Sequence, residues 1–420
     1  METVWRREAA RVIAALTRMT RDVGVAEDLA QDALLTALRT WPETGVPDNP
    51  GAWLVTTGKR RAIDHLRRQK MVAAKHEALG HDELARGSSE AAHGVDPDEA
   101  LDDAVGDDVL RLVFVACHPV LSMDARIALT LRLLCGLDTD AIARAFLVPS
   151  TTMAQRIVRA KRTLSEAGVP FELPRGDALV ARTATVLRVV YLVFNEGYAA
   201  TSGDDVIRHE LCHEAIRLGR LLVGLVPDEP EVSGLLALME LQSSRSAARV
   251  DAAGKPVLLL EQDRSLWDAS AIHRGLGLLV NAQLRGGRGP YVLQAEIAAC
   301  HARAPRAEDT DWARIAARYG ELGRLTPSPV VELNRAIAVS MAEGPAAGLL
   351  LLDALAADPA LAKYHLLPAA RGDMLEKLGR SAEAKAEFER AAAGATNPRE
   401  RELMLARAER CANAPGAPPT

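Results

Sequence analysis

Four stretches of this sequence place polar side chains at spacings that could do chemistry. Asp28, Gln31 and Asp32 recur at three and four residues, so a helix would gather them on one polar face. Arg60, Asp64, Arg67 and Arg68 do the same within a strongly basic run, where cations can hold phosphates and neighbouring side chains can offer donors to base edges. Between Gly136 and Lys161 two short helical patterns meet at Val148-Pro149-Ser150. The second has an inner stripe of Met153, Ile157, Ala160 and Leu164 and an outer stripe of Thr152, Gln155, Arg156 and Arg159. A short turn followed by a helix that offers Gln and Arg outward is helix-turn-helix logic, with the outer stripe aimed at a major groove. The fourth is His209-Glu210-Leu211-Cys212-His213, a literal HExxH that would put two imidazoles on one helical face for zinc, with Glu210 as general base. No third ligand is evident; Glu231 and Glu240 are the candidates. Each motif has a plainer reading: a solvated acidic face, a soluble amphipathic helix, an ordinary helical hairpin and a chance match.

The elements that must position these groups are helices. Ala30, Ala33, Leu34, Ala37 and Leu38 form the apolar side of the first, which Trp41-Pro42 should end; Pro47-Asp48-Asn49-Pro50-Gly51 is a strong turn cluster. A second helix is expected from about Trp53 to Lys70, with Ala62, Ile63 and Leu66 on its apolar face. Asp138, Thr139 or Asp140 could cap the helix after Gly136, and Ser150 the next. Residues 77–104 are acidic and broken by Gly87-Ser88-Ser89 and Asp96-Pro97, as in a flexible linker. Beyond Pro170 helix-length apolar patterns alternate with short Gly/Pro joints. Leu333–Ala338 before Gly344-Pro345 and Leu367–Gly372 before Gly379-Arg380, followed by Ser381–Ala384, Phe388 and Ala391-Ala392, suggest a helix–turn–helix repeat of tetratricopeptide type. Tyr191, Phe194 and Tyr198 cluster in a chain poor in aromatics and read as core packing before a turn at Gly197.

The net charge of −5 over 420 residues hides a segregation. Residues 59–75 hold seven bases against Asp64, residues 77–108 hold eleven acids against Arg86, and Arg156, Arg159, Lys161 and Arg162 form a second basic run. Two basic patches flanking an acidic tether suggest two nucleic-acid contacts. The five cysteines, none spaced as CxxC, fit a reducing cytoplasm rather than a disulfide framework or zinc knuckle. The start lacks a signal-peptide layout, and no apolar run is long enough to span a bilayer.

Taken together, Asp28–Asp32, Trp53-Leu54 with Arg61–Arg68, and Ile142-Ala143 through Thr152–Arg156 resemble, in order and spacing, the two domains of extracytoplasmic-function sigma factors. Tyr191–Tyr198, Glu261–Asp268, Thr310-Asp311-Trp312 and Glu332–Ala336 resemble the subgroup with a C-terminal tetratricopeptide-like extension. The resemblance implies an all-α chain: sigma domains at residues 1–76 and 105–168, the second a helix-turn-helix, an acidic linker at 77–104, and an α-solenoid at 172–415. It implies binding without catalysis, cofactor or metal. Asp28, Leu29, Gln31 and Asp32 would dock on core RNA polymerase, whose β′ clamp and β subunits would be partners. Lys59, Arg60, Arg61, Asp64, His65, Arg67 and Arg68 would contact the −10 element of promoter DNA. Thr151, Thr152, Gln155, Arg156, Arg159 and Lys161 would contact the −35 element. The solenoid would take a protein or peptide and modulate the rest. Arg60 departs from the pattern, since many relatives carry Asn there. Two other readings stand beside this one: a stand-alone helix-turn-helix regulator with a solenoid sensor, which leaves Asp28–Asp32 unexplained, and a zinc metallopeptidase built on residues 209–213.

Overall fold

The computed structural model describes the chain except residues 1, 80–100, 147, 200–205, 252–256, 363, 396–397 and 414–420. The expected acidic linker falls largely outside the described residues. Among those described every regular element is helical, as expected, and no helix is long and apolar enough to cross a membrane. The chain forms two compact units, Met1–Glu196 and Gly197–Thr420.

The first unit is built from α1 (Glu2–Thr20), α2 (Val23–Thr44), α3 (Pro50–Leu79), α4 (Leu101–Ala116), α5 (Met123–Leu129), α6 (Thr139–Ala145), α7 (Ser150–Glu166) and α8 (Asp177–Ala199) as far as Glu196, with a π-helical turn at Thr130–Leu134; the last residues of α8, Tyr198 among them, belong to the second unit. The core forms around α1, whose Ile13, Ala14 and Leu16 are fully buried. It packs on α2, α3 and α4. Gly58 lets α3 approach closely: a Cβ there would sit 2.9 Å from Leu16 Cδ1. Gly136 has φ +66° and would place a Cβ 3.0 Å from that of Ala9, so the turn before α6 requires both the left-handed backbone and the missing side chain.

Local chemistry sets the boundaries. Asp22 caps α2 by accepting the Val25 N–H at 2.9 Å. The expected stop at Trp41-Pro42 is displaced: α2 runs through Pro42 to Thr44 and ends at Gly45, φ +84°, whose N–H reaches the Trp41 carbonyl. Pro42 lies in the last turn, where its missing N–H forfeits one ladder bond but little helix follows to be disrupted, and buried Trp41 packs edge-on to Trp53 at 5.3 Å. Helix α3 begins earlier than expected, at Pro50, because Asn49 accepts the Ala52 N–H at 3.0 Å. Among the three candidate caps of α6 the structure selects Asp138, which accepts the Ala141 N–H at 2.6 Å. Pro149, not Ser150, occupies the cap position of α7.

The expected start of the extension, residue 172, lies inside the first unit. Arg182 of α8 donates to the Phe114 carbonyl and lies over its ring, 5.3 Å from the centroid. The Gly197 turn is absent; α8 continues through that buried residue, and Phe194 is fully buried.

The second unit contains α9 (Val206–Leu225), α10 (Pro230–Ser243), α11 (Ala269–Leu284), α12 (Pro290–Arg303), α13 (Trp312–Leu325), α14 (Pro329–Glu343), α15 (Pro345–Leu355), α16 (Leu366–Lys377), α17 (Ser381–Gly394) and α18 (Pro398–Asn413). Helix α10 is buried from Val232 to Leu241 because α9, α11 and α12 all pack on it. Successive helices then pair, as in a solenoid. The two expected repeat hairpins are α14–α15, turning at Gly344 (φ +104°), and α16–α17, turning at Gly379 (φ +74°). Phe388 is fully buried against Gly372, and Ala384, four residues before it, is fully buried too.

Candidate nucleic-acid interface

On α7, Met153, Ile157, Ala160 and Leu164 are buried, and Thr151, Thr152, Gln155 and Arg159 are exposed. Both stripes therefore stand where their spacing puts them. Thr152, Gln155, Arg156 and Arg159 line a cleft of about 320 Å³ closed on its other side by Val120, Ser122 and Ala125. Arg156 is half-buried and faces Asp124 of α5 at 3.5 Å. Val158, 60% exposed, also belongs to the outer surface; its hydrophobicity concealed it from a pattern search.

Lys161 is placed differently. Only 16% of its side chain is exposed, and its Nζ reaches Glu27 Oε2 at 2.6 Å and Asp28 Oδ1 at 3.6 Å. Glu27 is itself buried, and its other oxygen takes Arg132 at 2.7 Å. The Ser165 hydroxyl adds a bond to Asp22 at 2.8 Å. Helices α2 and α7 are thus joined through one buried carboxylate shared by two cations. A buried charge is tolerated in this way only when paired and hydrogen-bonded.

On α3, Arg60, Asp64, Arg67, Arg68 and Lys70 are exposed, and Lys59 and His65 are half-buried. The expected apolar face is narrower than the pattern suggested. Ala62 is fully buried, but Ile63 is 42% exposed, because α1 and α2 cover only one side of the helix. Arg61 turns inward: it pairs with Asp32 at 3.1 Å and donates to the Thr36 hydroxyl at 2.8 Å. Two side chains expected to serve different partners are therefore bound to each other.

On α2, Asp28 and Asp32 are exposed and Gln31 half-buried, while Leu29 is 8% exposed and belongs to the core. The apolar groups presented beside these acids are instead Leu35 and Leu38, 51% and 46% exposed. The sequence pattern hid this by counting Leu38 with the inner stripe.

Among the described residues the candidate zinc centre gains no third ligand. Glu231 accepts the Tyr291 and Val292 N–H groups at 2.8 and 3.2 Å, capping α12, and Glu240 is held by Arg220 and Arg274 at 2.6 and 2.8 Å. His213 is exposed; the side chains of His209 and Glu210 lie outside the described residues. All five cysteines are buried and none is in a disulfide. Burial pushes Cys117 to about 11 and Cys212 to about 12. Those two are poor nucleophiles for that reason.

Residues 4–71 match the sigma-70 region 2 family and residues 111–164 the sigma-70 region 4 family. Residues 182–283 match a family of unknown function, DUF6596. An uncharacterized protein, R00370, of Rhizobium meliloti (strain 1021) is 46% identical over 391 residues, covering 93% of this chain and 90% of its own length. SigI of Mycobacterium tuberculosis (strain ATCC 25618 / H37Rv), described as a probable ECF RNA polymerase sigma factor, is 30% identical over 174 residues; the match spans 40% of this chain and 56% of SigI. The ECF RNA polymerase sigma factor SigK of Mycobacterium sp. (strain KMS) is 33% identical over 78 residues, 18% of this chain and 39% of SigK. No solved structure matches.

Proposed function

Because this chain belongs to the extracytoplasmic-function sigma factors, we propose that its first unit binds core RNA polymerase through α2 and reads promoter DNA through α3 and α7. The observation that carries the reading is the exposed stripe of Thr151, Thr152, Gln155 and Arg159 over the buried stripe of α7, preceded by the capped α6. Gln and Arg at these positions can read base edges, and Arg159 can also hold a phosphate. Arg60, Arg67 and Arg68 on α3 supply a second cationic surface for the −10 element. Asp28, Gln31 and Asp32, with Leu35 and Leu38, form the docking face for the β′ clamp: an apolar centre rimmed by polar groups suits a protein partner. Sigma factors direct initiation and leave the chemistry to the polymerase, so none of these residues is assigned a catalytic role. The second unit modulates this activity by binding a ligand of its own.

Run-off transcription with purified core polymerase, on the promoters of the gene and its neighbours, tests the reading. Wild type should give transcripts. Arg67→Ala/Arg68→Ala and Gln155→Ala/Arg159→Ala should lose them while still binding core polymerase. Leu35→Ser/Leu38→Ser should lose core binding itself. A wild-type chain that fails to bind core polymerase would overturn the proposal, as would full activity in all three variants.

A further inference from the structure

Several packed arginines of the second unit are held by carboxylates. Arg220 and Arg274 share Glu240, and Arg407 bridges Asp373 and Glu376 at 2.6 and 2.5 Å. Arg245 and Arg264 are different. Among the described residues, neither contacts a carboxylate. Arg245 donates to the Tyr198 hydroxyl at 3.1 Å. Arg264 donates to the carbonyls of His301 and Ala304, each at 2.6 Å, and to the Thr310 hydroxyl at 3.2 Å. Glu308 and Asp309 act on it only through space.

Both guanidinium groups lie over the indole of Trp267, 5.9 and 4.8 Å from its centroid. Trp267 is 7% exposed and His301 8% exposed. Trp267 Nε1, His301 Nδ1 and Arg264 Nε are all buried and unpartnered among the described residues. Burial and the two guanidinium charges hold the His301 imidazole at about 3, so it is neutral at physiological pH and can carry its proton on Nδ1. Like charges are thus drawn together beside buried nitrogen donors without a matching acceptor. Buried polar groups in native proteins are almost always satisfied, and a cluster that falls short in one chemical sense indicates what completes it.

We propose that Arg245, Arg264, Trp267 and His301 form a binding site for a small oxyanion, the phosphate or carboxylate group of a small acidic ligand. Among the described residues the one hydrogen bond of Arg245 is to a phenol, which leaves its charge able to swing onto the ligand; Arg264 is fixed by two carbonyls at the end of α12 and presents its buried Nε–H. The indole and imidazole N–H groups complete a donor set that lacks only an acceptor. Arg245, Arg264 and Trp267 come from the segment between α10 and α11 and His301 from the last turn of α12, so an anion held there would tie those helices together. The site stands independently of promoter recognition.

The test uses the full chain labelled with 5-fluorotryptophan and followed by ¹⁹F NMR, with the Trp267 resonance assigned from Trp267→Phe. Inorganic phosphate and acetate are titrated separately, with sodium chloride holding ionic strength constant. A saturable shift of the Trp267 resonance with either anion, weakened at least tenfold in Arg245→Gln, is the expected result; which anion saturates assigns the class. Trp5, Trp41 and Trp53 in the first unit should not move. Arg245→Lys, which keeps the charge and loses the planar fork, serves as the second variant should Arg245→Gln fail to fold. A Trp267 resonance unmoved by both anions, or a shift unchanged in the Arg245 variant, would overturn the proposal.

Discussion

Replacing Glu27 with Gln tests the join between α2 and α7 directly. The carboxylate is 4% exposed and holds Arg132 at 2.7 Å and Lys161 at 2.6 Å. Removing one partner of a fully buried ion pair costs about 3–5 kcal/mol, mostly because the remaining charge is stranded. Here the stranded cations are 18% and 16% exposed and can lean toward water, and the Gln carbonyl can still accept one hydrogen bond. A cost of about 2 kcal/mol remains, equivalent to roughly a 30-fold change in the local opening equilibrium. Because the chain has two units, a single melting curve is a poor readout, and hydrogen exchange resolved by peptide is the better assay. Protection in α2 and α7 should fall roughly 30-fold, with none lost in α10 or α14. Glu27→Leu/Arg132→Met/Lys161→Met, which replaces all three charges, should recover much of it. The same Gln variant frees Lys161 for phosphate, so binding to −35 DNA should strengthen and its log–log salt dependence should steepen by about 0.9. Protection within threefold of wild type would refute the structural reasoning. Unchanged DNA affinity and salt slope, with protection lost as expected, would refute the role of Lys161 alone.

Three further outcomes follow from other positions. Arg61→Ala breaks a pair whose side chains are 37% and 52% exposed, so stability should change by less than about 1 kcal/mol, and exchange protection in α2 and α3 should fall by less than about fivefold. Gly136→Ala puts a side chain on a left-handed backbone 3.0 Å from Ala9 and should destabilise the first unit by about 1–3 kcal/mol, read as lost exchange protection in α1 and α6 with the second unit unaffected. His301 is held at about 3 in the folded chain against 6.5 when exposed, so the unfolded state takes up its proton first as pH falls. Its share of stability is intact above about pH 6.5 and declines by about 1.4 kcal/mol per pH unit below that, roughly 2 kcal/mol by pH 5. Chemical denaturation of wild type and His301→Asn between pH 7 and 5 should show the smaller slope in the variant.

Much of the architecture was legible because it follows from local rules. The four buried residues of α7 recur at helical spacing, and no tertiary information is needed to see them. The repeat hairpins were announced by Gly344 and Gly379, which do adopt positive φ. Errors gathered where a local rule met a tertiary contact. Pro42 did not end its helix because Trp41 is packed against Trp53 in the last turn. Leu29 and Leu38 share a hydrophobic character and a helix, yet one is 8% exposed and the other 46%. Their periodicity describes a stripe, and only the position of the neighbouring helices decides how wide a stripe is covered.

The sequence by itself determined the helical class, the order of the sigma-like motifs, the outer face of α7 and the basic face of α3, since each depends on residues within a few positions of one another. The tertiary structure decided which charges are available. Lys161 and Arg61 both read as DNA contacts, but Glu27 lies 134 residues from the first and Asp32 lies 29 residues from the second. Charge pairing acts over a few ångströms, and chain separation carries no information about it. The same reason explains why Arg245 drew no notice in the sequence and Arg264 only as part of the Glu261–Asp268 segment: what distinguishes them is that, among the described residues, folding brought a carboxylate to neither.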